Sequence, residues 1–174
     1  MKKIIIVMII CSSLFAISSE QKQLAKRIYT VALTAPNKKG QTYEETLIRI
    51  AITESSLGIN LLGDYKKGRD ITEASLGIFQ FQMGTVRLLQ KKYPNELGWM
   101  KNRSDRYLAQ KLLKDIDFNI VLAVFNIQRL SESRLSRGSY FRIVSQWNGG
   151  VNNKTYYKRV MSHKDLVKKI IKGF

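Results

Sequence analysis

Apolar residues recur every three or four positions along most of the chain, which is the spacing of helices with one buried face. The pattern predicts helical segments over residues 20–35, 42–56, 84–92, 104–115, 117–134, 139–147 and 155–171. Thr42 and Glu45 match a capping box at the start of the second segment, and Ser104 is a candidate N-cap. No linker of useful length separates the segments, so we expect a single helical domain.

The stretch between the second and third segments differs from the rest. Residues 58–82 contain Gly58, Gly63, Gly68 and Gly77, with short apolar pieces between them. Glycines in this number are typical of turns and loops. We therefore expect an irregular loop or small hairpin here, which makes the fold class mainly α with a minor β part.

The first 18 residues are typical of an export signal. Two lysines precede an apolar run over residues 4–17, and small residues at Ala16 and Ser18 fit cleavage before Ser19. A membrane-spanning helix needs about 20 apolar residues, so a retained anchor is the less favoured alternative. We predict that residues 1–18 are a signal peptide.

Residues 19–174 would then form an exported domain, either periplasmic or secreted. The whole chain has 30 Lys and Arg against 13 Asp and Glu, a net charge of +17. Basic domains bind polyanions, and export disfavours nucleic acid and favours the anionic bacterial envelope. The alternative is that dispersed lysines only keep a small domain soluble.

The content of cysteine and histidine restricts the chemistry. One Cys and one His cannot form an internal disulfide or a Cys- or His-rich metal site. We therefore expect no metal or organic cofactor, and any catalysis should depend on carboxylates.

Glu54 is the carboxylate with the most unusual position. It follows Leu47, Ile50 and Ala51 by seven, four and three positions, and so shares their apolar face. Such a carboxylate has a raised pKa and can act as a general acid. A helix-end Glu that reaches solvent is the alternative, which position alone favours.

Five short motifs support a catalytic role for Glu54. They are Glu54-Ser55, Gly77-Ile78-Phe79-Gln80, Asn119-Ile120, Trp147-Asn148-Gly149-Gly150 and Tyr156-x-x-x-Val160. In this order the chain resembles the soluble lysozyme-like lytic transglycosylases, which are related to goose-type lysozyme. The resemblance extends from about Tyr43 to Val160.

The resemblance implies a role for each matching residue. Glu54 would be the catalytic acid, and the substrate-binding residues would be Ser55, Phe79, Gln80, Trp147, Asn148 and Tyr156. Phe79 is either a platform for a sugar or a core residue, and Asn119 is expected to be structural. Trp147 stands where the family has Tyr, so a hydrogen bond from that hydroxyl must come from the indole N–H or be lost.

The resemblance also implies a reaction on peptidoglycan glycan strands by a monomeric lysozyme-like domain. The β-1,4 bond between N-acetylmuramic acid and N-acetylglucosamine would be cleaved without water, leaving a 1,6-anhydro end. Secretion or conjugation machinery is a further candidate partner. A hydrolytic muramidase using Asp64, Asp70 or Glu73 is the first alternative, and a non-catalytic peptidoglycan-binding module is the second. A third alternative is a membrane-disrupting protein that acts through its basic C-terminal segment.

Overall fold

The computed structural model describes residues 17–174. The first 16 residues of the predicted signal peptide lie outside this part of the chain. The helices are α1 (Ser19–Leu33), α2 (Glu44–Ser55), α3 (Met83–Lys92), α4 (Pro94–Leu97), α5 (Asp105–Lys114), α6 (Ile116–Ser131), α7 (Tyr140–Ser145), α8 (Lys154–Met161) and α9 (Lys164–Ile171). The predicted mainly α fold class is confirmed.

Helix α6 lies at the centre of the fold because it is apolar on nearly every side. Ile120, Leu122 and Ala123 are fully buried, and α6 packs against α1, α3, α5 and α7. A helix that is hydrophobic all round is a core helix. The other helices each turn one apolar face towards this core, as their amphipathic patterns predict.

The predicted irregular segment contains a small hairpin. Strands β1 (Leu62–Gly63) and β2 (Ser75–Leu76) pair antiparallel, with Leu62 opposite Leu76. A 3-10 turn, Ile71–Glu73, lies in the loop between them. The expected hairpin after α2 is therefore confirmed.

Asn119 fixes the chain just after this hairpin. Its Oδ1 accepts a hydrogen bond from Ile78 N at 3.0 Å, and its Nδ2 donates to Leu112 O at 2.6 Å. Gly77 has φ +76° beside it, and a Cβ there would overlap Asn119 Oδ1. Only glycine suits this backbone and this space. The structure therefore gives Asn119 the structural role that the sequence predicts.

The predicted capping box at the start of α2 is wrong. The helix begins at Glu44 with Tyr43 as its N-cap, and no side chain caps it. The Glu45 carboxylate forms an ion pair with Arg49 one turn later instead. Because Arg49 is only 6% exposed, its buried charge needs that partner. The candidate cap at the start of α5 is confirmed, since Ser104 Oγ accepts from Tyr107 N at 3.2 Å.

The C-terminal segment forms two helices rather than one. Helix α8 ends at Met161 and α9 begins at Lys164, with a short turn between them. Val167 and Ile170 on α9 are buried, so the apolar face of this basic helix packs on the domain. Among residues 17–174, we find no helix that is long and apolar enough to cross a membrane.

Candidate active site

A polar cleft of about 690 Å³ opens between the end of α2, the hairpin segment, α6 and the turn after α7. Its lining residues are Glu54, Gly63, Asp64, Ser75, Phe79, Gln80, Phe81, Gln82, Thr85, Asn126, Arg129, Gln146, Trp147, Asn148, Gly149 and Arg159. Residues of three motifs line the cleft, and the fourth, Tyr156-x-x-x-Val160, contributes Arg159, which lies between its two named residues. The fifth, Asn119-Ile120, lies behind the cleft and supports it.

Glu54 forms a hydrogen bond across the cleft wall. Tyr156 Oη donates to Glu54 Oε1 at 2.6 Å, which connects α2 to α8 over 102 positions of sequence. Tyr156 is itself 4% exposed, so this hydroxyl is held in place by packing. The structure thus places Tyr156 in the wall behind Glu54, where its hydroxyl reaches the carboxyl, and Tyr156 is not among the residues that line the cleft.

Burial controls the protonation of Glu54. Loss of hydration raises the pKa of the Glu54 carboxyl above its ordinary value, and the Tyr156 hydrogen bond and the Arg159 charge lower it in part. The nearby Asp64 carboxylate raises this pKa slightly. The predicted raised pKa therefore agrees with the structure, and its largest cause is desolvation. A carboxylic acid that keeps its proton nearer to neutral pH is suited to proton donation.

Ser55 lies behind the cleft rather than in it. The residue is 1% exposed, and Ser55 Oγ donates to Ile78 O at 2.7 Å and accepts from Gly58 N at 2.9 Å. This corrects the predicted substrate contact, because the hydroxyl is shielded from a ligand in the cleft. Ser55 instead ties the C-terminal end of α2 to the motif that carries Gln80.

The backbone around Glu54 is strained. Ser56 and Leu57, directly after α2, both have left-handed φ angles of 52° and 57°, and Gln80 has φ 50°. Residues with side chains rarely adopt this region, and strain of this kind clusters at functional sites. The hydrogen bonds of Ser55 help to hold this turn.

Gln80 lines the cleft with its amide fixed by the loop. Its Nε2 donates to Asn60 O at 3.0 Å and to Gly77 O at 2.9 Å. A Cβ on Gly63 would overlap Gln80 Oε1, so the glycine makes room for this side chain. Gln80 therefore lines the cleft and also stabilises the loop, and its predicted contact with substrate stays a prediction.

The aromatic residues of the motifs form one cluster. The rings of Phe79, Phe81 and Trp147 lie 5.8–6.2 Å apart between centroids. Phe79 is fully buried, so of the two roles proposed for it the core role applies. Trp147 is half-buried on the cleft side, and the hydroxyl contact to Glu54 comes from Tyr156 instead.

Asn148 is exposed at the rim of the cleft, as expected for a substrate contact. Its Oδ1 accepts from Asn153 Nδ2 at 3.4 Å. Gly149, which follows it, has φ 80° and ends the turn. Asn148 is thus available at the surface of the cleft.

Of the three loop acids, the structure brings only Asp64 into the cleft. Asp70 instead caps the 3-10 turn by accepting from Thr72 N at 2.9 Å. Glu73 lies 3.9 Å from Arg69 at the surface. Asp64 is therefore the candidate second carboxylate.

Several polar residues of the cleft were not predicted as site residues from the sequence, and three of them are the most informative. Asn126 and Arg129 come from α6, and Arg159 comes from α8 one turn after Tyr156. Arg159 could have been found from the sequence, because it lies three residues after Tyr156 and residues three apart share a helix face. Asn126 is 3% exposed, but α6 also carries Asp117, Asn119 and Gln128, so no sequence signal singled out the α6 pair.

Comparison of the chain with protein-family models, with characterised proteins and with solved structures gave no match. The function is therefore inferred from the motifs and the geometry of the cleft.

Proposed function

We propose that this protein is an exported lytic transglycosylase of the lysozyme-like type, acting on peptidoglycan glycan strands. The observation that carries the proposal is the half-buried Glu54 carboxyl, with a raised pKa, hydrogen-bonded to Tyr156 in a polar cleft. The sequence motifs that resemble the family supply four further cleft residues, Phe79, Gln80, Trp147 and Asn148. The high positive charge of the chain would favour binding to an anionic wall.

In the proposed reaction Glu54 acts first as acid and then as base. Its proton passes to the bridging oxygen as the bond from that oxygen to C1 of N-acetylmuramic acid breaks. The Glu54 carboxylate then accepts the proton of the C6 hydroxyl, whose oxygen forms the new bond to C1. The products are a 1,6-anhydro end and a free N-acetylglucosamine end, and Glu54 regains its proton.

A nucleophile within the substrate removes the need for a positioned water and gains effective concentration. Tyr156 would keep the Glu54 carboxylate oriented after its proton has left. Gln80 and Asn148 have amide groups at the cleft that suit the hydroxyl and N-acetyl groups of a sugar.

A hydrolytic muramidase is the second candidate, and the position of Asp64 favours it. Its carboxylate lines the same cleft as Glu54 and is close enough to affect the pKa of Glu54. A second carboxylate can activate water in glycosidases of the inverting type. Asp64 Oδ2 accepts from Ser75 Oγ at 3.3 Å, which leaves its other oxygen for a water.

Mass spectrometry of the products from purified peptidoglycan tests the proposal. We expect 1,6-anhydromuramic acid ends, which are one water lighter than reducing ends. Glu54→Gln should abolish them, while Glu96→Gln, an exposed residue outside the cleft, should cleave like the parent. Reducing ends that disappear in Asp64→Asn would identify a muramidase instead. A folded parent protein that cleaves no wall type would overturn both.

A further inference from the structure

Arg129 is a cation in the cleft that the proposed reaction does not use. It lies on α6, away from the hydrogen bond between Glu54 and Tyr156, and lines the same cleft. The residue is half-buried. A partly desolvated charge is costly unless it is paired, so its partners decide what it can do.

The protein itself holds one edge of this guanidinium. Asn126 Oδ1 accepts from Arg129 Nη2 at 2.8 Å and from Nε at 3.1 Å. Asn126 lies three residues earlier on α6 and is 3% exposed, so it is a rigid support. A single buried amide oxygen thus fixes the plane of the guanidinium.

The opposite edge of the guanidinium remains available. Arginine has five N–H donors, and two of them are used by Asn126. Among residues 17–174, Arg129 takes part in none of the ion pairs. The next acid on the chain, Glu132, lies 3.8 Å from Lys92 instead. The edge formed by Nη1 and Nη2 is the one that can bind a carboxylate with two parallel hydrogen bonds.

We propose that Arg129, oriented by Asn126, is a carboxylate-binding subsite of the cleft that recognises the acidic substituent of the glycan strand. This inference depends on the proposed function, since it assigns the ligand of the same cleft. Peptidoglycan has such carboxylates in two places. One is the lactyl group of muramic acid when no peptide is attached, and the others are on the stem peptide.

Burial is consistent with this role. Loss of hydration lowers the pKa of the Arg129 guanidinium, but arginine stays charged at neutral pH. An anion that enters the cleft would restore to the guanidinium part of the stabilisation that it loses with its hydration. Arginine also fits a planar carboxylate better than lysine does, because its fork matches both oxygens.

Equilibrium binding to Glu54→Gln protein tests the inference without turnover of the ligand. The first probe is a peptide-free tetrasaccharide of alternating N-acetylglucosamine and N-acetylmuramic acid with free lactyl carboxylates. The second carries the stem peptides, and the third has its lactyl carboxylates converted to neutral methylamides. We expect one of the two acidic probes to bind about tenfold more tightly than the neutral one, the scale of a charge-assisted bidentate pair.

Adding Arg129→Gln should remove this preference and leave binding of the neutral probe unchanged. Arg134→Gln is the matched control, because Arg134 is exposed and outside the cleft and its substitution changes the net charge equally. Arg129→Lys, which keeps the charge without the fork, should restore only part of the preference. Thermal unfolding of each variant shows whether its fold is intact.

The two acidic probes identify the source of the carboxylate. Preference for the peptide-free probe assigns the lactyl group, and preference for the second assigns the stem peptide. Equal binding of all three probes, absence of binding, or a preference that persists in Arg129→Gln would each overturn the inference. Wall cleavage by the parent protein is a separate readout. Cleavage without an Arg129-dependent preference rejects the subsite alone, whereas Arg129-dependent binding without cleavage rejects the lytic activity alone.

Discussion

Replacement of Ser55 by alanine separates a structural role from a substrate-binding role. The Ser55 hydroxyl is buried and bonds Ile78 O at 2.7 Å and Gly58 N at 2.9 Å. Without the hydroxyl, the buried Ile78 O loses this partner, which costs about 1–3 kcal/mol. The part-buried Gly58 N loses its bond as well, which costs about 1 kcal/mol. We therefore expect Ser55→Ala to lower the free energy of unfolding by about 2–4 kcal/mol.

Thermal denaturation followed by circular dichroism measures this loss. For a domain of this size, 1 kcal/mol corresponds to roughly 2–4 °C, so the melting temperature should fall by roughly 5–15 °C. Ser162→Ala is the control, because that hydroxyl bonds Arg159 O at the exposed end of α8. Its replacement should change the melting temperature by much less.

Wall cleavage well below the melting temperature completes the test. If Ser55 acts only through the fold, Ser55→Ala should retain most of the parent activity there. An unchanged melting temperature together with a loss of activity greater than about tenfold, which is the scale of a lost substrate contact, would refute the structural role. Ser55 would then belong in the substrate-binding set that the sequence motifs imply.

Three further predictions concern the carboxyl and its support. Because burial raises the pKa of Glu54, its carboxylate destabilises the fold above that pKa. Glu54→Gln should therefore raise the free energy of unfolding, and with it the melting temperature, at about pH 8 and not at about pH 3. The expected gain is about 1.4 kcal/mol for each pH unit by which the fold raises the pKa. Tyr156→Phe removes a hydrogen bond that lowers this pKa, so the alkaline limb of the rate profile should move to higher pH; a limb that stays in place would show that another group titrates. Gly77→Ala should cost roughly 2–4 kcal/mol, since it combines a left-handed backbone with overlap on Asn119, and an unchanged urea midpoint would contradict this.

The helices could be predicted from the sequence because their apolar periodicity is local. Each predicted segment contains an observed helix, and the ends mostly agree within two or three residues. Helix α4 lies outside every predicted segment and begins at Pro94, since proline suits the first position of a helix. The segment over residues 155–171 has continuous periodicity, so the break after Met161 was not visible in the pattern.

The site could be predicted only in part, because burial depends on partners that are distant in sequence. Glu54 and Tyr156 were found from their motifs, and the structure brings them into contact. The same motifs placed Ser55 in the cleft, whereas packing turned it into the core. Arg129 was missed because no local pattern indicates which turn of α6 borders the cleft.

The hydrogen bond between Glu54 and Tyr156 also determines when the site can exist during biosynthesis. Its two residues are 102 positions apart, so roughly the first nine-tenths of the chain must be synthesised before both are present. A nascent or prematurely terminated chain that ends before α8 lacks the tyrosine that holds the acid. For a protein proposed to cut peptidoglycan, the acid would therefore acquire its hydrogen-bond partner only in chains long enough to include α8.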